Sequence, residues 1–176
     1  MNDILSEKAY QHFIMDKLVE NGYIIRTDAD YDRVFAMDRD LFFKFLNDTQ
    51  PDEMAALRKQ YKDSLEDTLV SAFNRDVTQK NGSLILTLKH GLSVGGKHLD
   101  LMYTKPATTF NKDLLAKYKK NIFSVAEEVW ADDAERIDLV IFLNGIAIMS
   151  FELKSNLAGQ SYQDAIYQYR HDRDPK

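Results

Sequence analysis

The sequence predicts an α+β fold in which a mostly antiparallel or mixed sheet is flanked by helices. Three observations carry this. Apolar residues recur at helical spacing through the first 80 residues, alternation replaces that period beyond them, and Asn144-Gly145 separates two strongly apolar runs. Ala9, Phe13, Ile14 and Leu18 mark a first helix that Asn21-Gly22 stops, and Tyr23 to Ile25 fits a short strand. Residues 41–46 (LFFKFL) mark a second helix. A third is expected from Pro51 to Asn81-Gly82, with Met54, Leu57, Tyr61, Leu65, Leu69 and Phe73 on one face. Residues 83–89 and 97–103 read as strands joined by a loop through Gly91, Gly95 and Gly96, and Pro106 closes that pair. The basic stretch 111–120 has room for a helical turn or more. Residues 121–130 fit a strand, 137–143 and 146–154 a hairpin, and the chain returns to helical composition from about Gln160. The expected organisation is a helical part over 1–80 packing on a core over 81–176, together one structural domain.

Composition narrows the function. The chain has 176 residues, 44% hydrophobic and 29% charged, which suits a globular domain rather than a disordered tail. It has 0 cysteines, which removes disulfides, thiolate metal sites and a cysteine nucleophile. No apolar run reaches the roughly 18 residues of a membrane span, and the N-terminus lacks the basic-then-apolar order of a signal peptide, so a cytoplasmic protein is expected. The net charge is −5. A nucleic-acid partner would therefore need a cation, a local basic patch or another subunit to offset repulsion.

Three ionisable residues stand at the ends of the apolar hairpin strands: Asp138 near the start of the first, Glu152 and Lys154 at the end of the second. Residues two apart on a strand share a face, so Glu152 and Lys154 project together with Ser150 and Ile148. Burying such groups unpaired costs several kcal/mol each. Turn geometry decides whether Asp138 joins them. A two-residue loop with a regular ladder sets Asp138 opposite Phe151, on the wrong face. One extra residue, as in an odd-length loop or a bulge using Gly145, sets it opposite Ser150 or Glu152. An odd-length loop or a bulge is therefore expected. Two carboxylates near 4 Å repel by about 4 kcal/mol at an effective dielectric near 20, and a hard divalent cation, Mg²⁺ or Mn²⁺, relieves this. Such an ion polarises a scissile phosphate and acidifies an attacking water, while an ammonium group orients that water or steadies the developing charge. The same letters also describe strand ends whose charges simply face water.

The string RIDLVIFLNGIAIMSFELKS resembles the nuclease motif of the PD-(D/E)xK superfamily, and more narrowly the N-terminal domain of the R (restriction and motor) subunit of Type I restriction enzymes. Arg136, Asp138, Asn144, Gly145, Glu152, Leu153 and Lys154 match that pattern, and Ile137 stands where a proline is usual. The opening from Ser6 to Gln50 and the closing GQSYQDAIYQYRHDRDP are similar to the family as well. The resemblance implies a restriction-endonuclease-like core and a Type I site-specific deoxyribonuclease. Asp138 and Glu152 would hold Mg²⁺, or Mn²⁺, and Lys154 would assist the water. The partners it implies are double-stranded DNA, the methylation and specificity subunits, and motor domains of the same chain that use ATP. It implies a DNA-positioning role for Gln163 with Tyr167, or for Gln168 in a neighbouring register, and for Arg170. Glu7 is either an accessory carboxylate on the first helix or a charge favoured by the helix dipole. The chain is then a fragment of a longer polypeptide whose cleavage is coupled to translocation, and alone it would bind DNA weakly. The alternative is a module that docks DNA or the other subunits without cutting.

Other signals are weaker. GLSVGGKH (91–98) has the glycine and lysine spacing of a phosphate-binding loop, but His98 replaces the Ser or Thr, and a strand pattern rather than a helix follows Lys97. His12, His90, His98 and His171 lack ligand spacing. Lys112, Lys117, Lys119 and Lys120 fit either a phosphate contact or a solvated face.

Overall fold

The computed structural model describes residues 7–153. It opens with α1 (Glu7–Glu20), which ends at Gly22, and passes into β1 (Ile24–Arg26). The helices α2 (Arg39–Thr49), α3 (Pro51–Tyr61), α4 (Leu65–Thr78) and α5 (Leu84–His90) follow, then the short strands β2 (Leu92–Val94) and β3 (Lys97–Leu99) and the helix α6 (Lys112–Tyr118). The strands β4 (Phe123–Trp130), β5 (Arg136–Leu143) and β6 (Ile146–Phe151) complete the described fold. The main sheet is mixed, in the order β1-β4-β5-β6, with β1 parallel to β4 and the other pairs antiparallel. The architecture is thus α+β, as the sequence predicts.

Three elements depart from expectation. The long helix from Pro51 is two helices, because Lys62 takes φ 50° and a short 3₁₀ turn follows. Residues 83–89 form a helix, not a strand. The Ser83 side chain caps the Leu86 amide, Gly91 ends the helix at φ 71°, and burial falls on Thr87 and Leu88 instead of alternating. The partner of β3 is therefore β2, inside the expected loop, and the pair turns at Gly95-Gly96. Lys97 begins a strand rather than a helix, so the strand, loop and helix order of a phosphate-binding loop is not formed. On α1, Phe13 points to solvent, and Gln11 and Met15 are buried in its place.

Two packed regions hold the hairpin β5–β6 by opposite ends. At the turn, Ile146 joins the large core made by α2 to α5, with Phe42, Phe45, Leu57 and Leu69 fully buried. At the other end α1 lays Met15, with Ile14 and Leu18, against Val125, Leu139, Ile141 and Leu153. The opposite sheet face carries Ala126, Val140 and Phe142.

The turn is fixed by chemistry as well as packing. Asn144 and Gly145 take φ of 52° and 79°, the two left-handed positions of a tight two-residue turn. Asn144 is wholly buried. Its side-chain amide donates to the carbonyl of Leu101 at 2.9 Å, and its oxygen accepts from the Ile122 amide at 2.7 Å. The Gly145 carbonyl accepts from the Asp38 amide at 2.7 Å. Asp38 is buried, caps α2 through the Leu41 amide and pairs with Arg26 of β1 at 2.6 Å. A Cβ on Gly145 would lie 2.3 Å from the Asp38 carbonyl and 2.4 Å from the Phe42 amide nitrogen, both backbone atoms. Gly145→Ala combines that clash with left-handed strain. It is expected to cost about 2–4 kcal/mol, read as a lower urea midpoint.

Candidate functional site

The geometry of the β5–β6 hairpin sets the site. Leu143 pairs with Ile146 and Phe142 with Ala147, which is the register of a regular two-residue hairpin. The register then shifts: Ile141 pairs with Met149, Val140 with Ser150 and Leu139 with Phe151, leaving Ile148 as the extra residue. The expected bulge is present. It lies inside β6 and not at Gly145, because the loop itself is even and Gly145 is committed to the turn. Continued one step beyond Leu139–Phe151, past the end of β6, the same register would set Asp138 level with Glu152. Val140 and Ser150 precede them on the same face, and the extra residue Ile148 packs with both core clusters that flank the hairpin.

A hydrogen bond ties the aspartate to the triplet. The Leu153 amide, between Glu152 and Lys154, donates to Asp138 Oδ2 at 2.5 Å. Leu153 itself is buried against α1, so the apolar residue of the triplet anchors it. Asp138 and Glu152 are both half-buried. Beside them, an open groove of about 470 Å³ runs along the sheet face past Tyr31, Val140, Ala147 and Ser150.

The surrounding charges are paired. Lys8 of α1 contacts Glu128 of β4 and lies 3.9 Å from Glu127. Arg136, at the start of β5, also pairs with Glu128 and stacks over the Trp130 ring at 5.1 Å. The hydrogen bond from Lys8, with help from Arg136, holds the Glu128 carboxyl below its ordinary value, and the same bond raises Lys8. A depressed carboxyl stabilises the fold above its unfolded value and loses that contribution as pH falls through the folded one. Wild type should therefore exceed Glu128→Gln in urea midpoint at neutral pH, and the difference should vanish in acid below the ordinary glutamate value of 4.5. Midpoints measured from pH 7 to pH 3 check this.

The strand expected over 146–154 ends at Phe151, so Asp138 lies on β5 and Glu152 just past β6. Two such carboxylates, without sulfur or imidazole, suit a hard cation of the Mg²⁺ kind, which is commonly held by one or two carboxylates plus water and phosphate oxygens. Among the described residues no group of three His, Asp or Glu side chains is gathered closely enough to ligate one ion. Glu7 is exposed at the head of α1, in its first turn. His98 lies on the β2–β3 hairpin, 3.6 Å from Asp100. Lys112, Lys117 and Lys119 are exposed on and just after α6, with Lys117 over the Tyr103 ring, and Lys120 donates to the Asp48 carbonyl. Lys154, Gln163, Tyr167, Gln168, Arg170 and His171 lie outside the described residues.

Sequence reasoning missed Gln11. It is 4% exposed on α1, and its side-chain amide donates to the backbone carbonyl of Asp138 at 2.9 Å. The available signal was a polar residue on the inward stripe Gln11, Ile14, Met15 and Leu18, where an amide must find a partner.

The family model for the Type I restriction enzyme R protein N terminus matches residues 4–176, essentially the whole chain. The chain belongs to this family. Comparison with curated proteins gave no significant match, and neither did comparison with solved structures. This R protein N-terminal domain is thus a restriction-enzyme component by family, and its α+β architecture is compatible with a nuclease core. Among the described residues no helix is long and apolar enough to cross a membrane.

Proposed function

We propose that this R protein N-terminal domain is the DNA-cleaving module of a Type I restriction enzyme and hydrolyses phosphodiester bonds of double-stranded DNA with Mg²⁺. The observation that carries the reading is the bond from the Leu153 amide to Asp138 Oδ2, set up by the one-residue bulge, which puts the aspartate against the Glu-Leu-Lys triplet. Asp138 and Glu152 hold the cation through their carboxylates. The bound ion supplies Lewis acidity to the scissile phosphate and to the attacking water. Lys154 orients that water and offsets charge gathering on the phosphate oxygens. Leu153, packed against α1, keeps the triplet from turning over. Gln163, Tyr167, Gln168 and Arg170 contribute to DNA positioning, as the family resemblance implies. The net charge of −5 makes the domain a poor DNA holder by itself. Recognition and delivery therefore fall to the specificity and methylation subunits and to ATP-driven motor domains.

Calorimetric titration of the chain with Mn²⁺ tests the site. Wild type is expected to bind saturably, and Asp138→Ala to lose that binding while keeping its melting temperature within a few degrees. Equal binding by the two would remove Asp138 from the cation site and with it the catalytic reading.

A further inference from the structure

Two hydrogen bonds from described residues bear on Asp138. Its carboxylate accepts from the Leu153 amide at 2.5 Å, and its backbone carbonyl accepts from the Gln11 side chain at 2.9 Å. The two bonds come from different parts of the fold. Leu153 follows β6, whereas Gln11 lies on α1, 127 residues away in sequence. Asp138 is the third residue of β5; on the β4 side the pairs Leu139–Glu127 and Ile137–Val129 bracket it, but on the β6 side it lies beyond the last registered pair, Leu139–Phe151. Gln11 reaches it from the helix that also covers Leu139 and Leu153.

Burial makes this contact selective. A glutamine 4% exposed has given up water, and an amide hydrogen left without an acceptor there would carry a penalty of a few kcal/mol. The Asp138 carbonyl is that acceptor. The contact joins α1 to the strand end in one register, since a shift of the helix by one residue would withdraw the amide from it. Met15, one turn on, packs against the sheet beside Leu139 and keeps the helix from sliding.

We infer that Gln11 is a positioning residue for the cation site. By fixing the Asp138 backbone from the α1 side, it aims the Asp138 carboxylate at the position shared with Glu152. The inference rests on the cation-site reading given above. Groups that orient a ligand without touching the ion typically change metal affinity 10- to 100-fold when removed, so an effect near the lower figure is expected for a contact made to the ligand's backbone.

The test uses the whole chain with Mn²⁺ alone as the probe. Gln11→Met keeps length and volume but has no donor. It should weaken Mn²⁺ binding about tenfold by calorimetry. It should also speed hydrogen exchange of the Leu153 amide in the metal-free protein, with the Val140 and Ala126 amides unchanged. Gln11→Glu, equal in size and polar, is the second variant. Its carboxylate cannot donate to the Asp138 carbonyl near neutral pH, so it should weaken binding at least as much, and it decides the matter if Gln11→Met lowers the melting temperature. Wild-type Mn²⁺ affinity and wild-type Leu153 exchange in a folded Gln11 variant would overturn the inference. Asp138→Ala, run alongside, separates the two claims. If it loses Mn²⁺ binding while the Gln11 variants keep it, only the positioning role fails. If it keeps Mn²⁺ binding, the cation site itself is wrong.

Discussion

Lys154→Ala, placed in the full-length R subunit and assembled with its partner subunits, is expected to reduce DNA strand breakage about 10²–10⁴-fold, the range spanned by a positioned proton-transfer or charge-stabilising group. ATP hydrolysis by the same preparation should be unchanged, because the role proposed for Lys154 is in strand cleavage and not in nucleotide use. The split between the two activities is the informative quantity. A lysine that only helped the domain fold would, when removed, loosen the whole assembly and depress both rates together. Plasmid linearisation and phosphate release, followed in one reaction, give both numbers. Loss of both activities would assign Lys154 a structural role, and retention of both would remove it from the chemistry.

The second large effect is expected from the backbone. Deleting Ile148 and Met149 together removes the extra residue and one more, so a regular β5–β6 ladder from the Asn144-Gly145 turn would set Leu139 opposite Glu152. A slip of one residue exchanges the two faces of a strand, so Glu152 would leave the face of Asp138, and Leu153 would come level with the aspartate. Cleavage should fall below detection. The deletion also removes a partly buried side chain that packs on both flanking clusters, so stability should drop by about 1–3 kcal/mol or more, read as a lower urea midpoint. Ile148→Ala is the control. It keeps the extra residue and discards most of the side chain, so it should lose comparable stability and keep most of the cleavage. If both variants cleave equally well, the register set by the bulge does not align the carboxylates.

The hairpin was legible because its signals are local. Asn-Gly between apolar runs marks the turn, and acidic residues at both ends called for one extra residue, in the loop or as a bulge. Where that residue would sit was not legible. Gly145 offered the left-handed conformation for a bulge at the turn, but contact with Asp38 and Phe42 commits it elsewhere, and those contacts span more than a hundred residues. Residues 83–89 misled for a related reason. Leu84, Leu86 and Leu88 alternate, whereas the Ser83 cap and Gly91 bracket a single short helix whose buried face is set by neighbouring α4. Lys62 at φ 50° gave no warning at all, since neither glycine nor proline marks the break. The candidate residues Asp138 and Glu152 stood out because charge at the ends of apolar strands is conspicuous. Gln11 did not, because its partner is a main-chain oxygen that no side-chain pattern advertises.

The extra residue in β6 has a bearing on solubility. Among the described strands β6 is the last in the sheet, and Ile148 divides it into Ile146–Ala147 and Met149–Phe151. A neighbouring molecule seeking to extend the sheet would meet two short, misaligned rows of hydrogen-bonding groups in place of one continuous row. The irregularity that brings two acids level also leaves this margin poorly suited to templating fibrils.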